Sequence, residues 1–241
     1  MKKPIPLKRI LFLLFLVVTF LWVAANRNFN EPNEPKTYPT MKQDTNDRYL
    51  GCGQIQIANQ DGYFTLFSTM EDHQKTFKEY KQNGDASWSG EAYWDGTMAD
   101  YGCGITVMSI LLSGYQHPYT PEDLRKKYYP RLDGLQMAEE LAETFAIENT
   151  GFLYSKDAFS EEKIVNHLKS NRPIIVCVWN KPTENQWTTA SHYLLLLATD
   201  GENMVYVSNP NGLEDSSKSS GWYPLSEIIP YIAKIMYIET F

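Results

Sequence analysis

From Ile105 to Leu112 the chain is apolar with few breaks, and Met108, Leu111 and Leu112 recur three and four positions apart. That spacing belongs to one face of a helix and predicts one beginning at or near Cys103. The stretch before it, Ala99-Asp100-Tyr101-Gly102-Cys103-Gly104, is polar and tight. Other patterns are equally local. Gln54 to Ile57 alternates strictly, Asn59-Gln60-Asp61-Gly62 marks a turn, and Tyr63 to Phe67 comes next, which reads as a hairpin. Glu71 to Lys81 reads as a short polar helix. Thr120-Pro121-Glu122-Asp123 is a capping box with proline at the first helical position. Leu135 to Phe145 is a helix by its apolar positions, and Ser160-Glu161-Glu162 opens another.

Beyond Arg172 the period changes. Pro173 to Trp179 and His192 to Ala198 are continuous apolar runs, the mark of strands buried on both faces. Asp200-Gly201 turns the chain, and Met204 to Ser208 returns it to Asn209-Pro210. A short helix (Leu225 to Ile232) and a strand (Ile235 to Ile238) complete the pattern. Helices first and an antiparallel sheet afterwards make an α+β layout.

The first residues differ from all of this. Lys2, Lys3, Lys8 and Arg9 precede the uncharged apolar run from Ile10 to Ala25. A basic segment leading into such a run is a signal peptide or an N-terminal membrane anchor, and either puts the rest of the chain outside the membrane. Residues 26–48 are polar, carry Pro32, Pro35 and Pro39, and read as a flexible linker. The domain expected to fold is therefore 49–241, about 195 residues, enough for one core. A formal charge of −7 offers no basic stripe for nucleic acid.

Candidate chemistry starts with three cysteines. Cys177 falls inside an apolar run and reads as core. Cys52 precedes a strand and reads as structural or incidental. Cys103 stands at a helix start, where free N–H groups favour an anion and are expected to lower a thiol pKa. Gly102 and Gly104 beside it leave room for a substrate backbone. No His and Cys cluster has metal-ligand spacing, so no metal or organic cofactor is expected. Of four histidines, His73 lies on the polar helix, His117 in a loop and His167 on a helix face. His192 stands at the mouth of a buried strand, rigid yet accessible. The hairpin brings Asn209 back to the same end, where its side chain can orient the imidazole. Because Asn209 sits at a strand exit, its removal is expected to leave the fold intact. Cysteine nucleophile, histidine base and asparagine orienter together suit acyl transfer.

These segments resemble those of the C39-like, papain-fold cysteine peptidases. Tyr101-Gly102-Cys103-Gly104-Ile105-Thr106 is similar to the family's Gly-Cys-Gly-Pro-Thr signature, Ser191-His192-Tyr193 to its Gly-His-Tyr strand, and Val207-Ser208-Asn209-Pro210-Asn211 to its Asn-Asp-Pro-Asn segment. The likeness runs from about Tyr80 to Phe241. Ile105 replaces a proline, Asn209 replaces an aspartate, and Thr97 stands where a glutamine is usual, six positions before the cysteine. The resemblance implies an oxyanion hole made by the Cys103 backbone N–H and a glutamine, for which Gln82 is the candidate. It implies a papain-like α+β fold and a thiol peptidase in which Cys103 attacks, His192 moves the proton and Asn209 orients. The expected substrate is a peptide, cell-wall cross-links included, met outside the membrane by a protein either anchored through its N-terminal segment or secreted. An amidase or transpeptidase using the same three residues, or a non-catalytic surface module of the same fold, are the alternatives.

Overall fold

A computed structural model describes residues 55–58, 63–67, 74–179, 187–211 and 218–240, all within the unit Arg48–Phe241. The expected signal or anchor segment, the linker, Cys52 and His73 lie outside the described residues. Among the described residues no helix is long and apolar enough to cross a membrane.

Three strands open the described chain: β1 (Ile55–Ala58), β2 (Tyr63–Phe67) and β3 (Gln74–Lys78), antiparallel in that order. The first two are the expected hairpin, with Ile55 opposite Leu66. The third corrects the helix expected over Glu71 to Lys81. Its five residues pair with β2 from Tyr63↔Lys78 to Phe67↔Gln74, and Phe77 is fully buried while its neighbour Thr76 is exposed. Pairing with a neighbouring strand and one anchoring phenylalanine outweigh the polar helical composition.

A two-strand ribbon, β4 (Ala92–Tyr93) with β5 (Gly96–Thr97), leads into a single-turn helix α1 (Met98–Tyr101) and then α2 (Cys103–Gly114). Helix α2 begins at Cys103, as its pattern predicts. Every residue from Gly104 to Leu112 is buried, so this helix is apolar all round because it lies inside the core. Helices α3 (Pro121–Lys127), α4 (Gly134–Glu143) and α5 (Glu161–Leu168) come next. Thr120 caps α3 through the Asp123 N–H, Asp133 caps α4 through Gln136, and Ser160 caps α5 through Lys163.

The main sheet has five antiparallel strands in the order β10-β6-β7-β8-β9, namely Ile232–Tyr237, Ile174–Trp179, Ser191–Thr199, Met204–Ser208 and Gly221–Pro224. Alternate residues of its strands serve two cores. Ile175, Leu195, Leu197 and Met236 pack with α2. Ile174, Val176, Val178, Leu194 and Leu196 pack with Ile164, Val165 and Leu168 of α5. Burial on both faces explains the unbroken apolar runs. Two details differ from expectation. Strand β9 carries no apolar run, and Leu225 to Ile232 forms two 3-10 turns, Leu225–Glu227 and Ile229–Tyr231, in place of a helix. Pro230 supplies no N–H to continue one. The architecture is the α+β layout of helices and antiparallel sheet the sequence leads one to expect.

Candidate active site

Cys103 occupies the first position of α2 because Gly102 lets α1 and α2 join without a gap. Gly102 closes α1 by donating its N–H to the Met98 carbonyl at 2.8 Å. A Cβ on Gly102 would stand 2.4 Å from that carbonyl oxygen, and one on Gly104 would stand 3.4 Å from the Tyr193 ring. The two glycines therefore accommodate Met98 and Tyr193 of this chain. Thr97 caps α1 instead of acting on the site: its N–H and hydroxyl both donate to Asp100 Oδ2, at 3.0 and 2.7 Å.

Cys103 is a partly exposed residue with a free thiol, and Cys177 is buried and free, as its mid-strand position predicts. The peptide N–H of Tyr193, one residue after His192, faces the Cys103 sulfur. His192 itself is 5 % exposed. Its Nε2 lies 2.8 Å from Asn209 Oδ1, the contact the hairpin arithmetic calls for. Register carries it: Leu195 pairs with Ser208, so Leu194 stands abreast of Asn209, and two side chains on one face reach each other diagonally.

Asn209 is fully buried and bonded on every side. Its N–H donates to Ser220 Oγ at 3.0 Å, its Nδ2 to the Lys218 carbonyl at 2.8 Å, and its Oδ1 also accepts the Asn211 N–H at 2.9 Å. Lys81 Nζ donates to the Asn209 carbonyl at 2.8 Å. The strand exit is thus part of the packed interior, and the expectation that Asn209 can be removed without cost to the fold is corrected.

Gln82 is buried, at 5 % exposure. Its backbone N–H donates to the Pro210 carbonyl and its Nε2 to the Ala99 carbonyl, both at 2.8 Å. It ties the Asn209 segment to the turn that carries Cys103. Its Oε1 is buried with no hydrogen-bond partner among the described residues. His117 packs on the Phe145 ring at 5.3 Å and His167 on Tyr237 at 4.8 Å. Among the described residues no group of His, Cys, Asp or Glu is arranged to hold a metal ion.

Burial governs the electrostatics. It pushes the Cys103 thiol above its ordinary value, against the pull of the Tyr193, Gly104 and Cys103 N–H groups and the Lys234 charge. This corrects the expectation of a lowered thiol: loss of water around the sulfur outweighs the helix start. Burial also lowers the His192 imidazole to about 4, with the Asn209 bond opposing and the Lys81 charge assisting. Both shifts favour the neutral forms of thiol and imidazole in the free site.

Comparison with known proteins identifies a family. The model of the Peptidase_C39 like family matches residues 74–228. A crystal structure from Bacillus anthracis, of a protein proposed to be a C39-like peptidase, is similar with a TM-score of 0.41 at 14 % identity, covering 59 % of this chain and 90 % of that one. No curated protein sequence matches. The matched region contains Gln82, Cys103, His192 and Asn209 and spans well over half of the sequence, and the chain belongs to the peptidase C39-like family.

Proposed function

We propose that the protein is a cysteine peptidase in which Cys103 is the nucleophile, His192 the general base and acid, and Asn209 the group that orients the imidazole. The observation that carries the reading is the bond from His192 Nε2 to Asn209 Oδ1. An amide oxygen accepts, so Nε2 carries the proton and Nδ1 keeps its lone pair for a thiol proton. The peptide N–H of Tyr193, the residue after His192 on β7, faces the Cys103 sulfur, which supports assigning the nucleophile to this end of the strand.

The neutral resting state sets the order of events. His192 takes the thiol proton as the sulfur attacks the scissile carbonyl and the S–C bond forms. Negative charge collects on the carbonyl oxygen, met by the Cys103 backbone N–H and the second Nε2 hydrogen of Gln82. The C–N bond then breaks and the amine departs with the His192 proton. Water, deprotonated by His192, releases the acyl group and restores the thiol. Pairing the transferred proton with two buried groups avoids carrying a lone charge in the site.

The basic and apolar N-terminal segment supports a location outside the membrane, with exported or cell-wall peptides as substrates. The test is a digest of a peptide library by wild type and Cys103→Ala in parallel. Cleavage by wild type that Cys103→Ala abolishes supports the reading, and identical digests overturn it.

A further inference from the structure

Lys234 stands on β10 opposite Cys177, which stands opposite Tyr193 on β7. The three are abreast across the sheet and share one face, the face that carries α2. At the end of that row the Tyr193 ring packs on Gly104, next to the nucleophile. The Lys234 ammonium faces two rings, 4.5 Å from the centroid of Phe152 and 5.1 Å from that of Tyr193. The rings are themselves 5.8 Å apart. Gly134 gives way to it, since a Cβ there would stand 2.8 Å from Nζ.

Other lysines near the site have carboxylates: Lys81 pairs with Glu79, and Lys218 with Glu227. Lys234 forms no such pair among the described residues, although the chain as a whole carries −7. Asp133, next to Gly134, caps α4 through Gln136. Half-buried ammonium groups are ordinarily paired, and ring faces compensate only part of the lost hydration. The Lys234 charge is felt at the Cys103 sulfur.

Resting on the peptidase reading, we propose that Lys234, Phe152 and Tyr193 form a substrate subsite beside Cys103 that receives a carboxylate, so that the preferred substrates are peptides bearing an acidic side chain or a free terminal carboxylate close to the scissile bond. The rings exclude water around the ammonium and flank the carbon stem of the acidic group. The carboxylate supplies the counter-charge that the folded chain withholds. Lys234 then determines specificity and does no chemistry.

The experiment needs no known substrate. Cys103 is alkylated at pH 8 by iodoacetate, which carries a carboxylate, and by neutral iodoacetamide. The two rates are read at Cys103 by peptide mass mapping. The iodoacetate-to-iodoacetamide ratio should fall about threefold or more in Lys234→Met, which keeps an apolar stem of similar length, and be retained in Lys234→Arg. An unchanged ratio in Lys234→Met overturns the subsite. A second measurement uses wild type alone. N-acetylglycine should slow iodoacetamide labelling of Cys103 while N-acetylglycinamide does not, and equal protection by the two overturns the subsite as well. In the library digest, free and amidated C-termini separate a terminal carboxylate from internal Asp or Glu. A wild type that cuts nothing fails the peptidase reading, while the alkylation ratio still decides the subsite.

Discussion

Asn209 Oδ1 accepts from His192 Nε2 at 2.8 Å while Asn209 Nδ2 donates to the Lys218 carbonyl, also at 2.8 Å. The two ends of one carboxamide are thereby told apart: an aspartate would turn an oxygen toward the Lys218 carbonyl. Where the resemblance leads one to expect an aspartate, Asn209 supplies the donor that the Lys218 carbonyl accepts.

Asn209→Asp should therefore have two opposed effects. A negative charge beside the ring raises the His192 pKa, and the lost donor sets two oxygens against each other, costing about 1–3 kcal/mol. Asn209→Ala should lower kcat by about a hundredfold or more through a misoriented base and also lower the unfolding midpoint, since the Lys218 carbonyl and the Asn211 N–H lose their partner. Chemical denaturation beside peptide hydrolysis checks both. Full activity in Asn209→Ala would mean another group orients His192.

The neutral resting pair predicts a pH profile for the thiol. Because burial raises Cys103 and lowers His192 to about 4, iodoacetamide should label Cys103 slowly at pH 5 to 6 and steadily faster above pH 8. A preformed thiolate–imidazolium pair would instead give a plateau at mildly acidic pH. The rate measured from pH 5 to 10 distinguishes the two.

Two histidines should make the fold acid-sensitive. His192 and His167 are both lowered to about 4, His192 by burial and His167 by burial and the Arg172 charge. The unfolded chain takes up their protons near the ordinary value of about 6.5. Their contribution is complete above that value and is lost as pH falls from 6.5 through 4. Urea midpoints between pH 7 and 4 should fall, and His167→Gln should flatten part of the slope. An equal slope in that variant would place the sensitivity elsewhere.

Legibility in the sequence tracks burial. Helix α2, the strands from Ile174 and Ser191, and the capped starts at Thr120 and Ser160 are readable because buried faces and caps write themselves locally. Strand β3 is not, because its polar residues pair with β2 and a single phenylalanine fixes it. Strand β9 is not, because its side chains are only partly covered. In the site, Cys103 and the His192–Asn209 pair emerge from helix start and hairpin arithmetic. Lys234 cannot be found this way: it meets Tyr193 only through the register of three strands, and nothing local to β10 marks it.

The glycines flanking Cys103 should separate by what a Cβ would meet. Gly102→Ala places a methyl group against the Met98 backbone oxygen, 2.4 Å away, and should destabilise by about 1–3 kcal/mol as the α1–α2 junction shifts. In Gly104→Ala the neighbours at 3.3 and 3.4 Å are the terminal methyl of Met137 and the Cδ2 ring carbon of Tyr193, and a better helix former offsets the small shift they require. Thermal unfolding should show a clear loss in the first and a small change in the second. A tolerated Gly102→Ala would mean the junction has slack that the backbone geometry does not suggest.

Gln82 poses the sharpest question of role, because its Nε2 both holds the Ala99 carbonyl and is the proposed oxyanion donor. Removing a donor from a developing oxyanion lowers kcat by about 10²–10³, and a purely structural loss acts differently. Gln82→Ala should cut kcat with little change in KM. It should leave iodoacetamide labelling of Cys103 at its wild-type rate, because alkylation displaces iodide and builds no oxyanion. Gln82→Glu should be as poor in kcat and less stable, its carboxylate facing the Ala99 carbonyl. The comparison of labelling with hydrolysis decides the matter. If labelling in Gln82→Ala falls in step with hydrolysis, Gln82 positions the Cys103 turn and the oxyanion is met by other donors.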